Sequence, residues 1–362
     1  MNDTSSSTDG MINYEKNSLP QRHSIESRAQ QVRDMADSVK ATAQAINIAD
    51  YGCGTGQNAV LAVRPSVESF VARYPDLYIY VYHVDQTDND WNTLFRYAHD
   101  SDGYAGLSEY VRPVASVGTF YARAAPADSV DVGTCFGASH WLRQQPDIAS
   151  PGTIWFADLQ GESRATLRKQ AQDDWTEFLT LRLQELRSGG RLMVSTLGAI
   201  PDQNEINGIC ASGRKTYRAI NEVAKSMVDD GLLAREALER FVMPVWFMTK
   251  EEATEPFKYH KTLSSGFSIE SVSVNEAPSN SKDIFAESRS DIQSYAAKYR
   301  GFVRSFTEST FRAALFFQPG MDAEETETMI NTFYDRFEAK IAWGAGKYAF
   351  ELWLMTLQLR KN

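Results

Sequence analysis

The most informative run for the fold is Ile46-Asn47-Ile48-Ala49-Asp50-Tyr51-Gly52-Cys53-Gly54-Thr55-Gly56-Gln57-Asn58. An apolar segment with β-branched residues enters a turn that has glycine at alternate positions, and the helix-forming run Ala59-Val60-Leu61-Ala62 follows. This order of strand, glycine loop and helix is typical of the first unit of a nucleotide-binding α/β sheet. Glycine suits positions where the backbone bends sharply or where a ligand must come close to it. A tight turn that binds no ligand is the alternative interpretation.

The spacing of the glycines narrows the choice of ligand. A dinucleotide-binding loop has the pattern Gly-x-Gly-x-x-Gly, whereas the third glycine here, Gly56, comes one residue early. No Lys-Ser or Lys-Thr pair follows, so a phosphate-binding P-loop is not supported. The run from Asp50 to Gly56 resembles the first motif of the S-adenosylmethionine-dependent methyltransferases, and this resemblance makes a methyltransferase the working hypothesis.

Length and composition limit the class of protein. With 362 residues, of which 43% are hydrophobic, the chain can bury one large core or a core with a second lobe. A net charge of −10 argues against nucleic-acid binding, which favours a basic surface. The three cysteines are isolated, which fits a reducing compartment, and no apolar run reaches membrane-spanning length. We therefore expect a cytoplasmic protein without a signal peptide that binds neither nucleic acid nor a membrane.

Strands and helices are predicted to alternate over the first 200 residues, after a disordered tail at 1–10. Helices are predicted at 24–45, from the glycine loop to residue 74, and at 164–186, and strands at 46–51, 77–85, 110–116, 130–135 and 191–197. This alternation favours a mostly parallel sheet, which binds its ligands at the carboxyl ends of the strands. Asp85 ends the second predicted strand, and the loop 136–142 follows the fourth.

The pattern changes after residue 200. Helices are predicted at 214–230, 232–241, 291–317 and 323–345, and strands at 266–274 and 349–359. We expect both strands to return to the sheet. The predicted organisation is an α/β core (11–200, completed by 258–275 and 346–362) with a helical cap (201–257 and 276–345) that forms the substrate pocket.

From Tyr14 to about Leu359 the chain resembles the SABATH family of plant-type carboxyl methyltransferases, which includes the salicylate, benzoate, jasmonate and indole-acetate methyltransferases. The motifs that carry this resemblance are Tyr14-Glu15-Lys16-Asn17-Ser18-Leu19-Pro20-Gln21, Asp85-Gln86-Thr87-Asp88-Asn89-Asp90-Trp91-Asn92, Gly118-Thr119-Phe120-Tyr121-Ala122-Arg123 and Ser139-His140-Trp141-Leu142. The resemblance implies an α/β fold, Rossmann-like and of the class I methyltransferase type, with a mostly parallel central sheet and an α-helical cap. It also implies S-adenosyl-L-methionine as the cofactor, and a homodimer.

The resemblance further implies the residues of the site. The positions that match cofactor-binding residues of the family are Tyr14, Ser18, Asp50, Gly52, Gly54, Asn58, Asp85, Gln86, Thr119 and Phe120. Gln21 and Trp141 match the two residues that hold the substrate carboxylate. The positions that match the wall of the acyl pocket are His140, Tyr217, Trp246, Val303 and Phe306. Asp158 and Val242 stand where some members carry asparagines linked to a metal ion, so no metal is predicted.

The chemistry of Gln21 and Trp141 agrees with the role that the resemblance gives them. An indole N–H can only donate a hydrogen bond and a glutamine amide can donate one, so the pair suits a carboxylate, which only accepts. A carboxylic acid is ionised at neutral pH, so methyl transfer to it needs no base, and His140 is expected to be a hydrogen-bonded wall residue. Catalysis would come from alignment of the reactants within about 3–3.5 Å and from exclusion of water.

The aromatic residues of the predicted pocket favour a small aromatic or heteroaromatic acid as substrate. N-methylation of a purine-like heterocycle and a non-catalytic S-adenosylmethionine-binding protein are the alternative functions. An NAD-dependent oxidoreductase is disfavoured by the glycine spacing. At single positions, Trp141 could instead belong to the core, and Asp85 could instead cap the following helix.

Overall fold

The computed structural model describes residues 19–41, 44–149, 151–278, 281–316 and 320–362. The predicted disordered tail and two predicted cofactor residues, Tyr14 and Ser18, lie outside the described residues. Within these ranges no helix is both long and apolar enough to cross a membrane. In the same ranges, no group of three or more His, Cys, Asp and Glu side chains is placed to hold a metal ion.

A seven-stranded sheet lies at the centre of the described part of the chain. Its strands are β1 (Ala45–Tyr51), β2 (Tyr78–Asp85), β3 (Val111–Val117), β4 (Val130–Phe136), β5 (Leu186–Leu197), β8 (Phe267–Glu276) and β9 (Trp353–Lys361), and a separate hairpin pairs β6 (Ala199–Pro201) with β7 (Ile209–Ala211). The strand order is β3-β2-β1-β4-β5-β9-β8, in which β1 to β5 are parallel and β9 is antiparallel to both neighbours. The predicted α/β fold with a mostly parallel sheet is confirmed.

The middle of the sheet is buried on both faces. Residues 48–51 of β1 and 130–135 of β4 are buried without interruption. Continuous burial of this kind is typical of parallel strands that are covered on both faces. The strand order reverses between β1 and β4, and this switch point brings the glycine loop and the loop after β4 together at the carboxyl edge of the sheet.

Helices cover the sheet and extend beyond it. In chain order they are α1 (Leu19–Glu26), α2 (Ala29–Ser38), α3 (Gln57–Arg73), α4 (Trp91–His99), α5 (Gly161–Glu185), α6 (Arg214–Asp229), α7 (Arg235–Leu238), α8 (Lys250–Tyr259), α9 (Lys261–Gly266), α10 (Ile292–Thr310) and α11 (Ala323–Trp343). Helices α8 and α9 pack against α5 and β8, whereas α11 packs against α10 and α6. The division of the chain into a core and a cap stays a prediction.

Some helices differ from those that the sequence predicts. The predicted single helix 24–45 is wrong, because α1 begins at Leu19, α2 ends at Ser38, and the two are separate helices. At the break between them the Ser27 hydroxyl donates to the Ser24 carbonyl (2.7 Å) and competes with helical bonding. The predicted helix 232–241 is reduced to the single turn α7. Helix α8 was not predicted, although Thr249 and Glu252 form a capping box at its start.

Candidate active site

The glycine loop after β1 is built around a close approach of two chain segments. Gly52 has a positive φ of 74°, and a Cβ atom at this position would lie 2.3 Å from the Cβ atom of Ala138. The Gly52 N–H donates to the Val84 carbonyl (2.8 Å), which fixes the loop against the end of β2. Only glycine therefore fits here without displacement of the loop after β4.

Asp85 joins the end of β2 to the glycine loop. Its carboxylate accepts hydrogen bonds from the N–H groups of Gly54 (2.6 Å) and Gln86 (2.8 Å). Burial raises the pKa of the Asp85 carboxyl above its ordinary value, and the two N–H donors partly oppose this rise. Helix α4, which follows, is capped by Asp90, whose carboxylate accepts from the Thr93 N–H (3.0 Å). The alternative that Asp85 caps this helix is therefore wrong.

A first cavity, the cofactor cavity, lies at the carboxyl edge of the sheet between the loops after β1, β2, β3 and β4. Its lining comprises Gly52, Gly54, Thr55, Asp85, Gln86, Asp88, Asn89, Gly118, Phe120, Phe136, Gly137, Ala138 and Trp141. The structure thus brings together five residues that the resemblance assigns to the cofactor, namely Gly52, Gly54, Asp85, Gln86 and Phe120.

Three other residues assigned to the cofactor, Asp50, Asn58 and Thr119, do not line this cavity. Asp50 is buried in β1, where its carboxylate accepts from the Thr134 hydroxyl (2.9 Å). Asn58 is buried in the first turn of α3. The Thr119 hydroxyl oxygen accepts from the Tyr121 N–H (3.1 Å). Their contact with the cofactor stays a prediction.

The cofactor cavity also contains residues that sequence reasoning did not assign. Asp88, Asn89 and Gly118 belong to two of the four motifs that carry the resemblance, and Gly137 belongs to the loop that was expected to face a ligand. The Asn89 amide donates to the Gly54 carbonyl (3.0 Å) and so helps to hold the glycine loop. The motifs indicated that these segments belong to the site. Which of their residues face the cavity depends on the path of the backbone, which the motifs do not give.

A buried ion pair fixes the loop that carries Phe120. The Arg182 guanidinium donates to the carbonyl oxygens of Phe120 (2.8 Å) and Ala122 (2.9 Å), and it lies 4.0 Å from the centre of the Tyr51 ring. Glu185 accepts from Arg182 (3.0 Å) and from the Tyr51 hydroxyl (2.7 Å). Because both charges are buried and hydrogen-bonded, they hold this loop against β1.

A second cavity, the substrate cavity, lies between the sheet edge and helices α1, α6 and α10. Its lining comprises Pro20, Gln21, Ser24, Ile25, Phe136, Gly137, His140, Trp141, Ser195, Thr196, Leu197, Tyr217, Ile284, Phe302, Phe306, Phe350, Leu352 and Leu354. The predicted substrate residues in this lining are Gln21, His140, Trp141, Tyr217 and Phe306. Most of the lining is apolar, as is usual for small-molecule sites.

Trp246 and Val303, which were predicted for the same pocket, do not line it. Trp246 is buried against Phe156 (4.9 Å between ring centres) and beneath the Arg164 guanidinium (5.1 Å). Val303 is fully buried within α10. Sequence reasoning did not assign Ile284, Phe302, Phe350 and Leu352, which come from distant segments of the chain.

The two cavities meet at Trp141, which lines both of them together with Phe136 and Gly137. The backbone of Trp141 is held on both sides: its N–H donates to the Ala138 carbonyl (3.0 Å), and its carbonyl accepts from the Tyr121 hydroxyl (2.6 Å). The side chain is only half-buried. Trp141 is therefore a wall between two cavities and not a plain core residue.

Gln21 presents an unsatisfied polar group to the substrate cavity. Its Oε1 atom is buried and has no hydrogen-bond partner among the described residues. Buried polar atoms are rarely left unpaired unless a ligand or water completes them. A half-turn of the amide would exchange its oxygen and nitrogen, so the same group can offer a donor to a ligand.

His140 is a neutral wall residue. Its Nδ1 atom lies 2.7 Å from the Thr196 hydroxyl oxygen, to which it is hydrogen-bonded. Burial lowers the pKa of His140 to about 3, so the imidazole carries no charge near neutral pH. The expectation that His140 is a hydrogen-bonded wall residue is consistent with this geometry.

Aromatic rings form one side of the substrate cavity. Tyr217 stacks on Trp155 with ring centres 4.0 Å apart and planes 10° apart, so its position is fixed from behind. Phe306 (5.8 Å) and Phe350 (6.4 Å) surround the Tyr217 ring. Ring faces held in this way offer flat apolar surfaces to a ligand.

The charged side chains that line the two cavities are acidic. Among the described lining residues none is lysine or arginine, whereas Asp85 and Asp88 line the cofactor cavity. This arrangement suits a cationic group in the cofactor cavity, while the substrate cavity offers uncharged donors.

The comparison with known proteins decides the family. Residues 4–342 match the family described as SAM dependent carboxyl methyltransferases. The chain belongs to this family. Gibberellic acid methyltransferase 1 of Arabidopsis thaliana is 28% identical over 226 residues, which are 57% of this chain and 59% of that protein. Anthranilate O-methyltransferase 2 of Zea mays is 26% identical over 262 residues, which are 66% of this chain and 68% of that protein.

A solved structure supports the same fold. A loganic acid methyltransferase with SAH shares the fold with a TM-score of 0.78 over 98% of both chains, at 20% sequence identity. The match to the first of the two curated relatives thus spans less than two thirds of that protein's length, whereas the structural match extends over nearly the whole chain.

The cofactor of the family, S-adenosylmethionine, fits the residues of the cofactor cavity. Gly52 and Gly54 line this cavity without a side chain, so a ligand can come close to the backbone of the loop at these two positions. The Asp85 carboxylate already accepts hydrogen bonds from two N–H groups, and its other lone pairs can accept hydrogen bonds from hydroxyl groups. Asp85 would therefore hold the ribose, and the Phe120 ring offers an apolar face within the same cavity.

Proposed function

We propose that this protein transfers the methyl group of S-adenosylmethionine to the carboxylate of a small aromatic or heteroaromatic acid, giving a methyl ester. The observation that carries this proposal is the position of Trp141 between the cofactor cavity and the substrate cavity. A group held beside the Trp141 indole in one cavity adjoins the contents of the other. Methyl transfer requires this proximity and alignment of the two reactants.

The residues of the substrate cavity hold and orient the acid. Gln21 and the indole N–H of Trp141 donate hydrogen bonds to the carboxylate and expose one oxygen toward the cofactor cavity. The cofactor, when bound, supplies an electrophilic methyl group. The acid arrives ionised, so no side chain has to accept a proton, and the neutral His140 is consistent with this. The apolar lining excludes water and strengthens the polar contacts.

The choice of an aromatic acid rests on the shape and polarity of the cavity. Tyr217 and Phe306 provide ring faces, and stacking on them contributes on the order of 0.5–1.5 kcal/mol per pair. The hydrogen-bonded pair His140 and Thr196 adds a polar point beside Trp141, which suits a ring substituent such as a hydroxyl or amino group. The relative named for anthranilate is an example of an enzyme named for an acid of this kind.

Transfer of a labelled methyl group from S-adenosylmethionine tests this proposal. The wild-type protein is incubated with benzoic, hydroxybenzoic, aminobenzoic and indole carboxylic acids, with long aliphatic acids, and with purine-like heterocycles. We expect methyl esters from the aromatic acids. Methylation of ring nitrogen alone would support the N-methyltransferase alternative, and cofactor affinity without any methylated product would support a non-catalytic binding protein.

Two further proposals concern the state of the protein in the cell. We propose a homodimer, on the strength of the family resemblance, and sedimentation that gives the mass of a single chain at micromolar concentration would contradict it. We also propose a cytoplasmic location, because Cys53, Cys135 and Cys210 are free and buried. A fluorescent fusion of the full chain would test the location.

A further inference from the structure

Two parts of the lining of the substrate cavity are shared with another cavity. Phe136, Gly137 and Trp141 are shared with the cofactor cavity. A different part adjoins a small outer cavity that also touches the exposed residues His23 and Pro278. The carboxylate would lie beside Trp141, which does not line the outer cavity.

Four residues form the wall between the substrate cavity and the outer cavity: Pro20, Ser24, Ile284 and Leu352. Pro20 and Ser24 lie one turn apart on the same face of α1. Ile284 and Leu352 supply the two largest apolar side chains of this wall, and each is 6% exposed. Because these residues face a cavity on either side, the wall at this point is thin.

The backbone on both sides of Ile284 is fixed. The Asp283 carboxylate accepts from the hydroxyls of Tyr295 (2.9 Å) and Tyr299 (2.7 Å) and from the Phe285 N–H (3.1 Å). A change of side chain at Ile284 should therefore alter the cavity with little movement of the chain. Leu352 is a less suitable position for substitution, because its own backbone is hydrogen-bonded to the same region. The Leu352 N–H donates to the Ser281 carbonyl (2.6 Å), and the Leu352 carbonyl accepts from the Ala277 N–H (3.0 Å).

We infer that the Ile284 side chain closes the substrate cavity toward the outer cavity and so limits the size of the acid that the protein accepts. This inference rests on the proposed function, since it assumes that the carboxylate lies beside Trp141. A pocket wall discriminates by about 10–200-fold for each methylene that it excludes or leaves unfilled. Ile284 is thus a specificity-determining residue that acts on the size of the substrate and not on the reacting group.

The test uses benzoic acid and its 4-methyl, 4-ethyl and 4-propyl derivatives with the full-length protein. The variants are Ile284→Ala, Ile284→Val and Ile284→Phe, and the matched control is Ile341→Ala, which removes the same atoms from a buried position of α11 that lines neither cavity. Both kcat/KM and the calorimetric affinity of each acid for the protein with S-adenosylhomocysteine are measured.

The quantity compared is kcat/KM for 4-propylbenzoic acid divided by kcat/KM for benzoic acid. We expect Ile284→Ala to raise this ratio at least tenfold, mainly through a change in KM. Ile284→Val should raise it by a smaller factor. Ile284→Phe should lower the ratio, and Ile341→Ala should leave it within twofold of the wild-type value. If the protein forms the esters but none of the Ile284 variants changes this ratio, the inference is overturned and the proposed function stays intact. Failure of every acid to bind or to be methylated by the wild-type protein would overturn both.

Discussion

At the scale of single residues, Asp85 links the sheet to the cofactor cavity. Its carboxylate already accepts hydrogen bonds from two backbone N–H groups, and the ribose hydroxyls would donate to its remaining lone pairs. Asp85→Ala should weaken S-adenosylmethionine binding by about 1.5–3 kcal/mol, the usual cost of losing a hydrogen bond to a charged group. Calorimetry measures this loss.

The control for Asp85 is Asp90→Ala. Asp90 caps α4 and does not line the cofactor cavity, so its removal should weaken the helix and leave cofactor affinity unchanged. A folded Asp85→Ala protein with wild-type affinity would remove Asp85 from the site.

His140 should make stability depend on pH. Its pKa falls from 6.5 in the unfolded chain to about 3 in the folded protein, so the unfolded state binds more protons between these values. The free energy of unfolding should therefore fall as the pH drops from about 6.5 toward 3, by at most about 1.4 kcal/mol per pH unit. Urea unfolding of the wild type and of His140→Gln at pH 7, 6 and 5 measures the difference in slope.

The exposed His260 provides a second histidine position, and the slope of His260→Gln is measured beside those of the wild type and His140→Gln. Equal slopes for the wild type and His140→Gln would show that His140 is protonated equally in both states. Because His140 stays neutral, we also expect it to add no step to the pH profile of ester formation above pH 5.

At the scale of elements, the contact between the glycine loop and the loop after β4 can be tested by a pair of substitutions. Gly52→Ala places a Cβ 2.3 Å from the Ala138 Cβ in a backbone conformation with positive φ, so it should destabilise the protein and weaken cofactor binding. Gly208→Ala is the matched control, because Gly208 also has a positive φ but has open space around it. Thermal unfolding and calorimetry measure both effects.

The double variant Gly52→Ala/Ala138→Gly removes the Cβ that causes the overlap. It should recover part of the lost stability and keep only the cost of the positive φ, which the Gly208→Ala control estimates. If the single and double variants are equally destabilised, the close approach is not what requires glycine at this position.

The sequence predicted the elements of the sheet better than it predicted the helices outside it. Strands β1 and β4 were found within one or two residues, because buried parallel strands give continuous apolar runs. The Ser27 hydroxyl bonds to a backbone carbonyl at the break between α1 and α2, and α8 contains Pro256, which works against a helical pattern. Such local competition between bonds is not visible in apolar periodicity.

The predicted site shows the same division. Motif residues near strand ends, such as Gly52, Asp85 and Trp141, lie in the cavity linings because their positions follow from the topology of the sheet. Ile284, Phe350 and Leu352 line the substrate cavity through contacts between segments far apart in the chain. Trp246 lies outside that lining because it packs against Phe156, and no pattern in the sequence indicated this contact.

At the scale of the whole molecule, the fold brings two cavities to one edge of the sheet with Trp141 between them. In the proposed mechanism, the Trp141 indole N–H holds the substrate carboxylate beside the cofactor. Trp141→Phe keeps most of the apolar wall and deletes the N–H, and Trp343→Phe, at an exposed position of α11, is the matched control.

The most direct measurement is the rate of ester formation by Trp141→Phe on several aromatic acids. We expect kcat/KM to fall by about 10–150-fold, and by a similar factor for every acid, because the lost hydrogen bond is to the carboxylate that all of them share. Trp343→Phe should retain the wild-type rates. Near-normal rates for Trp141→Phe, or a loss that varies with the ring and not with the acid group, would show that the indole N–H does not hold the carboxylate.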